Sequence, residues 1–214
     1  MLKLRRLPLL VGLGAAALLV ISAIGVFRSA PAVHAQLSCE NPPIDVSNLV
    51  RVWEKTDFCQ FQEGVFDEIL SGGVPRDGIP PIDDPEYEPS EIAAEWLQPQ
   101  SPVIAFEWNG IARAYPLAIL TRHEIVNTFY GDDAVAVTFC PLCNSAVVFD
   151  RTVDGEVFRF GVSGLLRHSD LIMWDDVTQS WWQQFTGEGI VGEYTDHLLT
   201  ILPAHVVGFG AFVE

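Results

Sequence analysis

The side chains of this chain best suited to chemistry are its 4 cysteines and 5 histidines, and two of the cysteines are spaced as Cys140-Pro141-Leu142-Cys143. Thiols at that spacing do two common jobs: they exchange disulfides or they hold a metal. A reactive CxxC starts a helix, whose N-terminus lowers the thiol pKa. Here Val147, Val148 and Phe149 follow, then Thr152-Val153 and the turn pair Asp154-Gly155, a strand and hairpin signature. The activating helix dipole is therefore not expected. A metal knuckle instead needs a residue after the second cysteine that tolerates positive φ, and Asn144 supplies it.

A tetrahedral site needs further ligands. His123 is the first candidate, with Glu124 beside it to orient the ring. His168 is the next, and Met173 would suit Cu(I), a soft ion. Copper or zinc is the ion this set expects. Two rival functions use the same residues. In a thiol–disulfide oxidoreductase, Cys140 would be the nucleophile and Cys143 the resolving thiol. In a non-catalytic binding module, the CxxC would be a disulfide stapling a turn. Other motifs carry less. Gly161-Val162-Ser163-Gly164 falls one residue short of a nucleophile elbow, and the glycines at 187–192 lack the Lys-Ser/Thr of a phosphate loop. Trp174, Trp181, Trp182 and Phe185 read as core. Nothing in the spacing brings any two of Asp83, Asp84, Glu107 and Glu188 together.

The elements that must position the cysteines are strands. Val135–Phe139 and Ala146–Phe149 flank the CxxC as two apolar runs. Upstream, Val103–Trp108 and Ile111–Tyr115 are joined by Asn109-Gly110, a strong hairpin signal because a type I′ turn needs two positive φ angles. Leu117–Val126 reads as a short helix around His123, and Ser90 as the N-cap of another running to Leu97. Asp154-Gly155 turns into Val157–Val162; Leu171–Trp174, Ser180–Phe185 and Leu198–Leu202 add further runs. The fold class expected is α+β and β-rich: one domain of short antiparallel strands and hairpins with one or two short helices.

Composition bounds the setting. The formal net charge of the 214 residues is −16. Lys3, Arg5, Arg6 and Arg28 lie in the first 35 residues, which hold no acid, so the remaining body carries all 28 Asp and Glu. A body so acidic repels phosphate backbones, which excludes nucleic acid as a partner. Leu7–Phe27 runs without a charge behind a basic cluster, and Val33-His34-Ala35 resembles a cleavage site. Residues 1–35 are thus expected to be a signal peptide or, uncleaved, a membrane anchor, with the body extracytoplasmic either way. Residues 36–70 are expected to be a linker with a Cys39–Cys59 disulfide, and residues 71–214 the domain.

Several motifs recur in one order: DGIPPID at 77–83, NGIARAYPLAIL at 109–120, HEIVN at 123–127, TFCPLCNSAVVFDR at 138–151, GVSGLLRHSDLIMWD at 161–175 and SWWQQFTGEGIVG at 180–192. The chain resembles, on these, the prokaryotic family of exported proteins catalogued as domain of unknown function 3179. The resemblance implies an exported or anchored protein and a domain that runs on past Glu214 in relatives; it implies no activity. In the family pattern Gly usually follows the CPLC turn, where Asn144 stands here, and Asn is more usual at His168. The resemblance therefore favours His123 over His168 as companion to the cysteines. The function expected is an exported metal-binding or redox-linked accessory protein, its protein or small-molecule partner unnamed.

Overall fold

Antiparallel pairing organises the chain, as its hairpin signals require. A computed structural model describes residues 45–214. The expected signal or anchor, and Cys39 of the expected disulfide, lie outside them. Among the described residues no helix is long and apolar enough to cross a membrane.

Helix α1 (Val65–Glu68) runs into β1 (Ile69–Ser71), and α2 (Ser90–Ala93) follows the turn-rich stretch. Strands β2 (Pro102–Trp108) and β3 (Ile111–Pro116) form the expected hairpin, with Asn109 and Gly110 at φ 52° and 73°. Helix α3 (Leu117–His123) leads to β4 (Ile125–Tyr130), β5 (Asp133–Cys140) and β6 (Ser145–Asp150). Asp154-Gly155 closes a small hairpin of β7 (Thr152–Val153) and β8 (Glu156–Val157). Then come β9 (Phe160–Arg167), β10 (Asp170–Asp175), β11 (Trp181–Gln183), β12 (Gly189–Val191), β13 (Ile201–Leu202), β14 (His205–Gly208) and α4 (Phe209–Val213). The class is the expected one, β-rich with a few short helices.

Two local expectations differ from the structure. The helix expected over Leu117–Val126 stops at His123, because Glu124 takes φ 59° and the β-branched Ile125 and Val126 pair with Thr138 and Val137. Ser90 is the first helical residue of α2 rather than its cap; Pro89 precedes it in extended conformation, which its fixed φ favours.

Three sheets carry the core. Their strand orders are β1-β9-β10-β11-β12, β13-β6-β5-β4 and β14-β2-β3. The four-stranded sheet is central, and alternation along β5 explains how both its faces are buried. Val135, Val137 and Phe139 point one way, into a cluster with Ile104, Phe106 and Leu120. Ala136 and Cys140 point the other way, into a cluster with Phe160, Leu171, Met173 and Trp182. Cys140 thus faces the five-stranded sheet because it falls on the even phase of its strand. Residues 45–70, which fall in the expected linker, pack against the domain. Val46, Trp53, Phe58 and Val65 bury against Trp174, Trp181 and Val191, and β1 pairs with β9. Each such side chain stabilises the fold by roughly 1.5–3 kcal/mol.

Candidate metal centre

The CPLC turn joins β5 to β6, with Cys140 and Ser145 paired at the last rung of their ladder. Facing it is the tip of another hairpin, in which His168 and Ser169 join β9 to β10. The two tips meet across the sheets: Sγ of Cys140 lies 3.8 Å from the carbonyl oxygen of Ser169. Asp170, the first residue of β10, completes the cluster. Cys140 Sγ, Cys143 Sγ and one Asp170 carboxylate oxygen all lie within 4.8 Å of one another. Cys140 and Asp170 are buried, while Cys143 is exposed.

The carboxylate is held from behind. Oδ2 of Asp170 accepts from Nε2 of Gln183 and from the N–H of Phe185, the latter at 2.9 Å. Oδ1 is left to the thiols, and Cys143 Sγ donates to it at 3.1 Å. Ser145 Oγ lies 3.0 Å from Cys143 Sγ and donates to Gln184 Oε1 at 2.6 Å. Gln184 Nε2 in turn donates to Thr138 Oγ1 at 2.8 Å, whose own hydroxyl donates to the Val147 carbonyl at 2.7 Å. This chain fixes the rotamers around the thiols, as ordered outer partners do around metal ligands. Gln183 also keeps one buried oxygen, Oε1, without a partner.

The electrostatics are those of an anionic pocket. Burial pushes the Cys140 thiol up to about 12. Burial first, and the charge of Asp170 second, push the Glu124 carboxyl up to about 7. Backbone strain gathers here too: Glu124, Asn144, His168 and Ser169 have φ of 59°, 51°, 54° and 65°. Non-glycine residues in that region cost about 1–2 kcal/mol each and persist where the surroundings hold them.

The residues expected from sequence divide as follows. Cys140 and Cys143 come together as a pair of free thiols. His123 closes α3, and its Nδ1 is bonded to the Pro80 carbonyl at 2.8 Å; it is not in the group with the two cysteines. His168 stands at the hairpin tip, its side chain 66% exposed, with Nε2 3.4 Å from Glu68 Oε2. Met173 is buried in the same apolar cluster as Cys140. Asp170 and the glutamines behind it were not singled out, because no spacing links residue 170 to residue 140; the hairpin pairing alone brings them together. Their signal lay in buried polar residues interrupting apolar strands, Gln183-Gln184 after Trp181-Trp182 above all. Asp83 shares Arg159 with Asp77, at 3.1 and 3.0 Å.

A family model described as Protein of unknown function (DUF3179) matches residues 76–214. No curated protein and no solved structure matches the chain.

Proposed function

The chain belongs to that family, and from its own side chains we propose that it binds one borderline metal ion through Cys140, Cys143 and Asp170. The observation that carries this is the convergence of their three ligand atoms within 4.8 Å of one another. Two thiolates and a carboxylate leave a fourth position of a tetrahedron open, for water or for a donor from a partner. The hard oxygen of Asp170 tips the preference from Cu(I) toward zinc. Asp170 takes the place expected for His123.

The charge of the site supports the metal reading over thiol–disulfide exchange. Reactive cysteines occupy electropositive surroundings or helix N-termini. This pair has Asp170 against it and Glu124 near Asp170, and it lies at strand ends. A carboxylate disfavours a free thiolate but favours a bound cation. The sulfur expected to attack, Cys140, is the buried one, and burial holds its proton. Metal uptake must displace such protons, so affinity rises with pH. In the extracytoplasmic location proposed for the body, a bound ion would also protect the two sulfurs from oxidation.

The test is elemental analysis of the full chain purified under reducing conditions, followed by zinc and Cu(I) titration against a competing chelator. One equivalent of zinc is expected. Cys140→Ser with Cys143→Ser should abolish it, and Asp170→Asn should weaken it about tenfold or more, at least the loss typical when a residue that only orients a metal ligand is changed. Absence of stoichiometric metal together with no affinity for either ion overturns the proposal and leaves the thiol–disulfide oxidoreductase and the disulfide staple as the readings of the pair.

A further inference from the structure

A second site lies on the three-stranded sheet, whose order β14-β2-β3 leaves β3 at an open edge. The two-residue turn Asn109-Gly110 makes Trp108 and Ile111 a hydrogen-bonded pair, and bonded and non-bonded pairs alternate along the ladder. Phe106 with Arg113 and Ile104 with Tyr115 are therefore the next bonded pairs. Ala112 and Ala114 fall between them, so their N–H and C=O groups point away from β2. Pro116, which has no N–H to give, falls on the same outward phase. Among the described residues nothing bonds to the backbone groups of Ala112 and Ala114 on that side.

This edge opens into a cleft of about 700 Å³, enclosed by β3, the segment 86–90, α2 and α4. One wall is apolar: Ala114 packs with Leu97, Phe209 and Phe212. Trp96, 48% exposed, also lines the cleft. The charge on this face is acidic. Alternation turns Arg113 to the other face, where its guanidinium carbon lies 4.5 Å from the Tyr130 ring and Nη1 donates to the Phe129 carbonyl at 2.8 Å. Tyr87 reaches that same far face, its ring 4.1 Å from the Arg113 guanidinium carbon. Its neighbours Glu86 and Glu88 line the cleft, and Glu88 accepts from Trp96 Nε1 at 2.7 Å. Among the described residues neither glutamate has a cation within ion-pair distance.

Unpaired strand rungs beside an apolar wall suit an extended peptide, which adds main-chain hydrogen bonds to the edge and sets alternate side chains against the wall. Two carboxylates without cations in the lining favour a basic one. A second copy of this chain, with a net charge of −16, fits poorly on the same ground. We propose that the cleft binds an extended basic segment of another protein, which joins the sheet as a strand beside β3. Side chains two apart along that segment, an apolar one between basic ones, lie against Phe212 and Trp96 and pair with Glu86 and Glu88. The site shares no residue with the cysteine centre and stands whether or not that centre takes a metal.

Fluorescence anisotropy of labelled peptides titrated with the full chain tests it. The end-blocked pentapeptide Lys-Thr-Val-Thr-Lys puts both lysines and the valine on one side of a strand. It is expected to bind about tenfold or more tightly than Glu-Thr-Val-Thr-Glu. The same margin is expected over its own backbone-N-methylated form, which has no N–H to give the edge. Ala112→Pro removes an outward N–H, at a position where an edge strand tolerates proline, and should weaken binding of the lysine peptide about threefold or more. Glu86→Gln with Glu88→Gln, both at exposed positions, should erase the preference for lysine over glutamate. The methylated peptide keeps strand addition testable if Ala112→Pro does not fold. Equal binding of the lysine and glutamate peptides, full binding of the methylated one, or no change in anisotropy at about 1 mM protein overturns the proposal. So does undiminished binding by a folded Ala112→Pro.

Discussion

Among the residues around the thiols, Glu124 is the one whose charge should report on the site. Its carboxyl is pushed from 4.5 up to about 7, so the folded state binds its proton more tightly than the unfolded chain does. The stability this contributes is fully present below about 4.5 and is lost as pH rises through about 7. Partial exposure screens the effect, which leaves about 1–2 kcal/mol. Urea unfolding of chelator-treated protein at pH 5 and pH 8 should show this loss in the wild type and not in Glu124→Gln. An unchanged slope in the variant would remove Glu124 from the site's electrostatics. At this scale the cysteine pair was legible, since a CxxC declares itself by spacing. Asp170 was not: it is an ordinary acid in an Arg-His-Ser-Asp run until β10 carries it to the turn. His123 illustrates the opposite error of emphasis, because a histidine next to an acid resembles a ligand whichever way its ring turns, and here the ring is engaged with Pro80.

At the scale of elements, two hairpin tips make the site, and their turn residues determine whether it forms. Asn144 stands at φ 51° directly after Cys143. Asn144→Gly should fold normally and keep metal affinity within about twofold, since glycine takes positive φ without steric cost. Asn144→Val should cost at least about 1–2 kcal/mol of stability and weaken zinc binding; thermal melts and the same chelator competition measure both. Equal behaviour of the two variants would mean that the turn does not need its left-handed residue. Turns closed by Asn-Gly or Asp-Gly were readable in advance, because their residues accept positive φ. The His168-Ser169 turn was not, since serine rarely takes positive φ and histidine does so too seldom to mark a turn by itself. Nor was the break between α3 and β4, where strand pairing with β5 overrides a locally helical pattern.

At the scale of the whole molecule, the acidic body and β-rich class were legible from composition and pattern, whereas the extent of the folded unit was not. Residues 45–70 read as a linker because their polar and turn-forming residues obscure a few widely spaced anchors. Trp53 is one of them, 3% exposed and edge-on to both Trp174 and Trp181 at 5.8 and 5.3 Å. Arg76 extends the stack, 5.1 Å from the Trp53 ring and 4.6 Å from that of Trp174. Trp53→Ala should therefore lower the unfolding free energy by about 3–5 kcal/mol, the range for large aromatic truncations in a core. Chemical denaturation checks it, and a loss under about 1 kcal/mol would make the segment a loose covering.

The same segment lies N-terminal to residues 76–214, which the family model matches. Strand β1 nevertheless closes one border of the five-stranded sheet by pairing with β9. A protein trimmed to residues 76–214 would present β9 as a raw edge, a template for other chains to add to, with tryptophans uncovered beside it. The short strand β1 is in this sense a guard on the sheet, and the chain from residue 45 onward is the length that keeps it in place.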